Sequence, residues 1–361
     1  MVKTSPRELL QLPGQWSIAQ VQGALTAALD GSGPALAFGP TAQRSVSANI
    51  AVVIPTSGST GNAKEVALTA DAILASARAA HKYLGAEQGD RWSLLLPINH
   101  IAGVNVLVRS LELGSELLDY RSSAPIESAE FTSVVPTQLF RALNGDDQLL
   151  AHLTRARAVL VGGAATPVPL MAAAISRNIN IVTTYGMSEM SGGCIYNNEP
   201  LEGVDARVDQ HGVIALRGAM RASTYLGNES AWSKATDGDW FVTSDIGEFR
   251  DGKLFVHGRV DDQIISGGEK ISLSLIEREL SAKYQNQSFM TFPLPSLEWG
   301  TALGLASDGE LDRDAIKGYL REKLGAHAVP KEFLANTSLP FTSIGKPDRP
   351  RLKAIFERQS Q

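Results

Sequence analysis

The chain has a single cysteine, Cys194, among 361 residues, so an intrachain disulfide and a cysteine-rich metal site are both excluded. Alone, Cys194 reads as a small packing residue rather than a nucleophile. No run of about 18 apolar residues occurs, so no membrane-spanning helix is expected. No apolar stretch follows the basic Lys3 and Arg7 in the manner of a secretory leader, and a cytoplasmic location is the resulting expectation. Positive charge is not in excess either. A net charge of −5 argues against nucleic acid or an anionic membrane as the main partner, while leaving room for a local basic pocket.

What is present is the composition of a folded protein. With 43% hydrophobic and 20% charged residues, the chain reads as soluble and globular, and its length allows two or three cores. Short apolar runs alternate with Ala-rich helical stretches. Ile50–Pro55, Trp92–Leu96, Phe131–Val135, Ala158–Val161 and Ile179–Thr183 read as strands. Helices are expected from Thr69 to about Tyr83, over Val104–Leu111 and after Pro136, whose ring suits a first helical turn. Strand, loop and helix recurring in this way predict a largely parallel α/β sheet. Residues 204–257 instead look like short strands divided by Gly and Asp turns, as at Arg250-Asp251-Gly252-Lys253. From Asp262 onward a strand, a Gly-Gly turn, a helix from Ser274, further strand and a helix from Leu311 suggest a small α+β domain.

Four separated motifs carry the chemistry. Ser57-Gly58-Ser59-Thr60-Gly61-Asn62-Ala63-Lys64 follows a strand and combines hydroxyls, accessible amides and one cation. Such a loop can cradle phosphate oxygens, although by itself it is equally a polar turn. Walker A spacing is absent, which disfavours a P-loop kinase. Tyr185-Gly186-Met187-Ser188-Glu189 sits just past an expected strand, where a carboxylate can share Mg²⁺ with phosphate oxygens; helix capping is its bland alternative. Asp245, in Thr243-Ser244-Asp245, can accept from ribose hydroxyls, and Arg259, in Gly258-Arg259-Val260-Asp261-Asp262, can donate to ribose or phosphate. Alone, each is an ordinary surface charge. Lys346 closes Pro340-Phe341-Thr342-Ser343-Ile344-Gly345-Lys346, and a positioned ammonium can stabilise charge developing on phosphate oxygens.

Together and in this order, the motifs resemble the adenylate-forming acyl- and aryl-CoA ligase superfamily. The resemblance covers residues 56–349, with two departures: Ala63 stands where Pro is usual and Glu65 where Gly is usual. It implies a trimmed adenylate-forming fold: an α/β N-terminal domain over 1–261, including a β-rich subdomain at about 204–257, and a mobile α+β C-terminal domain over 262–361. It also implies ATP, Mg²⁺ and coenzyme A as cofactors and cosubstrates. Ser57, Gly58, Ser59, Thr60, Gly61 and Lys64 would hold phosphate. Gly162, Gly163 and Ala164 would line the adenine and acyl pocket, and Tyr185 and Gly186 would lie near adenine. Ser188 would contact the α-phosphate and the acid, and Glu189 would be the Mg²⁺-associated residue. Asp245 and Arg259 would take the nucleotide, Asp261 would be the hinge, and Lys346 the catalytic lysine of the first step.

A narrower resemblance rests on Ser191-Gly192-Gly193-Cys194-Ile195-Tyr196, Pro200-Leu201-Glu202-Gly203-Val204, Leu96–Gly103 and Val135–Leu139. These are similar to actinobacterial-type o-succinylbenzoate–CoA ligases of menaquinone biosynthesis, and the short chain fits that group. The implied partners are a small carboxylic acid, ATP and CoA, and a homodimer is an expectation to carry forward. An acid with two carboxylates needs a partner for the unreactive one. Arg109, on an apolar helix, is the candidate, with a snorkelling surface arginine as the alternative. His100 would shape the neighbouring wall, or be a satisfied core histidine. A CoA ligase for another acid and a non-catalytic ligase-like binding protein are the competing readings; the joint presence of Glu189, Asp245, Arg259 and Lys346 disfavours the second.

Overall fold

The computed structural model describes residues 5–56, 64–123, 126–266, 268–284, 287–341 and 347–359. Ser57, Gly58, Ser59, Thr60, Gly61 and Lys346 therefore lie outside the described residues, as does the side chain of Asp261.

Five strands form the expected parallel sheet, in the order Ile181–Met187, Ala158–Val161, Phe131–Val134, Trp92–Leu94, Leu117–Asp119. The three central strands are buried along their whole length, which is why they read as unbroken apolar or small-residue runs rather than alternating ones. Gly192–Tyr196 and Glu199–Pro200 extend this sheet antiparallel beyond Ile181–Met187.

A second sheet departs from the parallel expectation. Ala35–Ala37 is parallel to both Arg7–Gln11 and Ile50–Thr56, but Ile50–Thr56 pairs antiparallel with Lys64–Thr69. The reason is length: residues 57–63 are too few for the crossover that a parallel pair requires. The Ala70–Leu84 helix starts at once from this strand. Thr69 caps it by accepting from the Ala72 amide at 3.1 Å, and Gly85 in a left-handed conformation ends it. This helix and Ile101–Glu112 join strands of both sheets in one apolar cluster, among them Val52, Leu68, Ile73, Leu107, Trp92 and Phe131.

The β-rich stretch is an antiparallel sheet of Val204–Val208, Val213–Gly218, Trp240–Arg250, Thr236–Asp237 and Lys253–Arg259. One piece leaves it. Thr224–Tyr225 pairs instead with Lys64–Thr69 at the edge of the second sheet, bringing Tyr225 opposite Val66.

Residues beyond Asp262 build a fourth sheet from Gln263–Ser266, Glu269–Ser272, Phe289–Ser296, Gly300–Ser307 and Glu332–Leu334. Its Leu273–Lys283 and Arg313–Leu324 helices pack Ile276, Leu280, Ile316 and Leu320 onto Leu303 and Leu305. Leu352, on the Arg349–Gln359 helix, packs with Met290, Phe292 and Ala306 in a separate cluster. Between the two, Arg349 grips Asp262 through Nε and Nη2, each at 3.0 Å, and reaches Glu277 at 3.2 Å. No helix among the described residues is long and apolar enough to cross a membrane.

Candidate active site

The carboxyl ends of the parallel strands converge on the sequence motifs. Tyr185 and Gly186 were expected just past a strand; they lie inside Ile181–Met187, because Gly192–Tyr196 turns back to pair with that segment. That pairing is tight. A Cβ on Gly186 would overlap the Gly192 carbonyl, so only glycine admits the approach. Between the strands lie the Ser188–Met190 turn and Ser191, whose φ is 52°. Ser191 is anchored from three sides: its Oγ donates to the Met220 carbonyl at 2.7 Å, and its own carbonyl accepts from Ser76 Oγ at 3.0 Å and Asn105 Nδ2 at 2.8 Å. The turn bearing Ser188 and Glu189 is thus fixed from beneath by two helices. Cys194 follows in this strand, fully buried, with its thiol pushed up to about 12 by burial. It is a packing residue, unable to act as a thiolate near neutral pH.

Gly162 and Gly163 end the neighbouring Ala158–Val161 strand, with Ala164 next. Gly162 sits so close to Thr184 that a Cβ would overlap the threonine hydroxyl. Across the site, Asp245 and Arg259 are register partners on adjacent strands. Tyr185 Oη donates to Asp245 Oδ2 at 2.6 Å, and Arg259 Nη1 lies 3.4 Å from Oδ1. Burial, then the Asp245 charge, holds the Tyr185 phenol well above its ordinary range, so it remains a donor. Carboxylate oxygens accept from hydroxyl donors, which is the chemistry a ribose requires. Residues far apart in sequence are thereby gathered into one polar group.

Glu189 and Lys64 meet through a residue that the motifs did not flag. Tyr225 Oη donates to Glu189 Oε1 at 2.7 Å, and Lys64 Nζ lies 4.6 Å from the centroid of the same ring. Glu189 Oε2 accepts no hydrogen bond among the described residues. No cluster of three or more His, Cys, Asp or Glu suited to a metal occurs among them either. A lone carboxylate with an oxygen to spare fits Mg²⁺, which is held by one or two protein oxygens together with phosphate and water. Tyr225 lies in a two-residue strand and is paired by topology alone, so no local pattern could have marked it.

His100 and Arg109 are not brought together. His100 is the N-cap of the Ile101–Glu112 helix, while Arg109 is in its last turn, about 13 Å along the axis at ~1.5 Å per residue. Nor does Arg109 snorkel. It is 3% exposed, its guanidinium stacks 4.9 Å from the Trp92 ring, and Nη2 donates to Tyr196 Oη at 2.9 Å. Its Nε is buried without a partner among the described residues. His81 adjoins this group, and burial with the Arg109 charge lowers its pKa to about 4.

The profile of the AMP-binding enzyme family matches residues 10–220. The chain belongs to that family. Among curated members, a probable 2-succinylbenzoate–CoA ligase of Mycobacterium tuberculosis is 36% identical over 96% of this chain and 98% of its own. The 2-succinylbenzoate–CoA ligase of Lactococcus lactis is 30% identical over 84% of this chain and 71% of its own. Among solved structures, Escherichia coli MenE with a bound phenylether-linked analogue of OSB-AMS superposes with a TM-score of 0.71 at 25% identity. That match covers 96% of this chain and 82% of the other. The adenylate-forming fold expected from the motifs is the fold of this family member.

Proposed function

We propose that the chain is an AMP-forming 2-succinylbenzoate–CoA ligase, the enzyme that yields o-succinylbenzoyl-CoA for menaquinone biosynthesis. The observation that carries the reading is the end-to-end match to the M. tuberculosis relative, 96% of one chain against 98% of the other. The gathered Tyr185, Asp245, Arg259 and Glu189 give that match chemical content. In the first step a carboxylate oxygen attacks the α-phosphorus of ATP and pyrophosphate leaves. In the second, the CoA sulfur attacks the acyl carbon and AMP leaves. Asp245 and Arg259 hold the ribose, and Tyr185 and Gly162–Ala164 line the adenine side. Ser188 meets the α-phosphate, and the loop at Ser57–Gly61 with Lys64 takes the outer phosphates. Glu189 would hold Mg²⁺, which would supply positive charge to offset that of the triphosphate. Lys346 stabilises the charge passing through the α-phosphate oxygens.

Residues 1–261 and 262–361 are proposed to act as two domains, with Asp261 as the hinge; the separate sheet and apolar clusters beyond Asp262 support the division. Arg109 is proposed to balance the spare carboxylate, a role supported by a buried guanidinium whose Nε lacks a partner, with His100 shaping the opposite end of the wall. A cytoplasmic location, where ATP and CoA are available, is proposed with this activity. Exposed Phe140, Val168 and Ile175 on adjacent helices are the surface proposed for a homodimer, which a single 38.5 kDa species in sedimentation would refute.

The test is product analysis over a panel of acids with ATP, Mg²⁺ and CoA. AMP, pyrophosphate and thioester should form fastest with 2-succinylbenzoate. A higher kcat/KM for benzoate, 4-phenylbutyrate or a medium-chain fatty acid would overturn the substrate assignment, and ADP with phosphate would overturn the ligase reading.

A further inference from the structure

We propose that Tyr225 is a positioning residue for adenylation: it holds the Lys64 ammonium and the Glu189 carboxylate apart and aligned, ready for a metal-bound triphosphate. The inference rests on the ligase reading and adds a residue to it. Lys64 and Glu189 carry opposite charges at the same end of the site, yet they form no ion pair with each other. Tyr225 stands between them. Its hydroxyl takes Glu189 Oε1 at 2.7 Å, and its ring face takes Lys64 Nζ at 4.6 Å. Removing that ring would let the long lysine chain close onto the carboxylate, and each group would neutralise the other before nucleotide arrived.

The tyrosine itself has little freedom. It is 1% exposed, its backbone is paired opposite Val66 in the strand that begins at Lys64, and Trp232 packs on it edge-to-face at 5.1 Å and 86°. Trp232 in turn stacks on Phe241 at 5.7 Å. The phenol is therefore a fixed donor. By occupying Oε1 it sets the Glu189 rotamer and leaves Oε2 available to a cation. The ring also limits where Lys64 can rest, since an ammonium is attracted to the face and not to the edge.

Two variants separate the hydroxyl from the ring. Tyr225→Phe keeps the surface under Lys64 and loses the hold on Glu189; Tyr225→Leu loses both. ATP binding is measured by calorimetry with Mg²⁺ and again with EDTA, alongside the two half-reactions. In Tyr225→Phe, the gain in ATP affinity due to Mg²⁺ should fall about tenfold, the worth of one charge-assisted hydrogen bond, while metal-free affinity stays within about twofold. Adenylation should fall further than thioester formation from supplied acyl-adenylate. Tyr225→Leu should also weaken metal-free ATP binding by about five- to tenfold through release of Lys64. An unchanged Mg²⁺ increment in Tyr225→Phe overturns the proposal, and so does an equal loss with and without metal, which marks a merely structural tyrosine. If the leucine variant fails to fold, the phenylalanine variant still decides. If the wild-type protein adenylates no acid, the ligase reading fails, while the calorimetric comparison still tests Tyr225.

Discussion

Asp245→Asn tests the nucleotide site with little change of shape. Asp245 is 9% exposed and accepts from Tyr185 Oη at 2.6 Å, with Arg259 Nη1 3.4 Å from its other oxygen. The amide replaces one acceptor oxygen with a donor, which must then face the tyrosine hydroxyl, the guanidinium or the ribose. Either protein contact can turn or shift, but a sugar hydroxyl that has lost its acceptor cannot be replaced. One hydrogen bond to a charged group contributes about 1.5–3 kcal/mol, so the Kd for AMP should rise about 10- to 100-fold. The assay is calorimetric titration with AMP, 2′-deoxy-AMP and 3′-deoxy-AMP. Wild-type protein should lose affinity for each deoxy form, whereas in the variant the penalty should disappear for the hydroxyl that has lost its acceptor. Tyr185→Phe retains the carboxylate and should retain the deoxy penalties. Wild-type affinity for AMP in Asp245→Asn, or deoxy penalties of full size in that variant, would refute the ribose assignment.

Lys346→Ala should lose adenylation by about 10²–10³ and still convert supplied acyl-adenylate to thioester; Asp261→Pro, with φ fixed, should show the reverse split. Near-normal adenylation in the first, or normal thioester formation in the second, removes that residue from its role. Arg109→Met should raise KM for 2-succinylbenzoate far more than for an analogue without the ring carboxylate, because only the former leaves a charge unpaired; equal losses would mark a structural arginine. His81 has a folded pKa of about 4 against an ordinary 6.5, so the unfolded chain binds its proton first. Its stabilisation is complete above pH 6.5 and is lost as pH falls toward 4, about 3 kcal/mol at ~1.4 kcal/mol per pH unit. His81→Leu should flatten the acid side of a urea-midpoint profile, and parallel profiles for the two proteins would contradict this account.

Much of the candidate site is legible in the sequence, because its motifs are local. Strand-to-turn signals placed Gly162, Tyr185 and Glu189 at strand ends, and the Gly and Asp turns exposed the β-rich unit holding Asp245 and Arg259. The errors have a common cause. Tyr185 belongs to a strand because Gly192–Tyr196 returns to pair with it, and that return depends on Ser76, Asn105 and Met220 fixing Ser191. No window around Tyr185 contains those partners. Likewise, the apolar helix alone leaves Arg109 open to a snorkelling surface reading, which its enclosure by Trp92 and by Tyr196, 87 residues away, excludes.

Tyr225 marks where sequence reading stops. Its neighbours Ser223, Thr224 and Leu226 give it the look of one more short strand in the β-rich unit, and a two-residue strand has no period to betray its sheet. What decides its place is antiparallel pairing with Val66, just beyond the glycine-rich loop. That single pairing puts an aromatic ring between the cation of one motif and the carboxylate of another, residues that their own motifs identify separately. Motifs reveal groups that must touch a ligand; they are silent about a group whose task is to govern how two of them touch each other. If that division holds, Tyr225→Phe should alter the coupling between metal and nucleotide while leaving each motif intact, an effect no substitution within either motif could isolate.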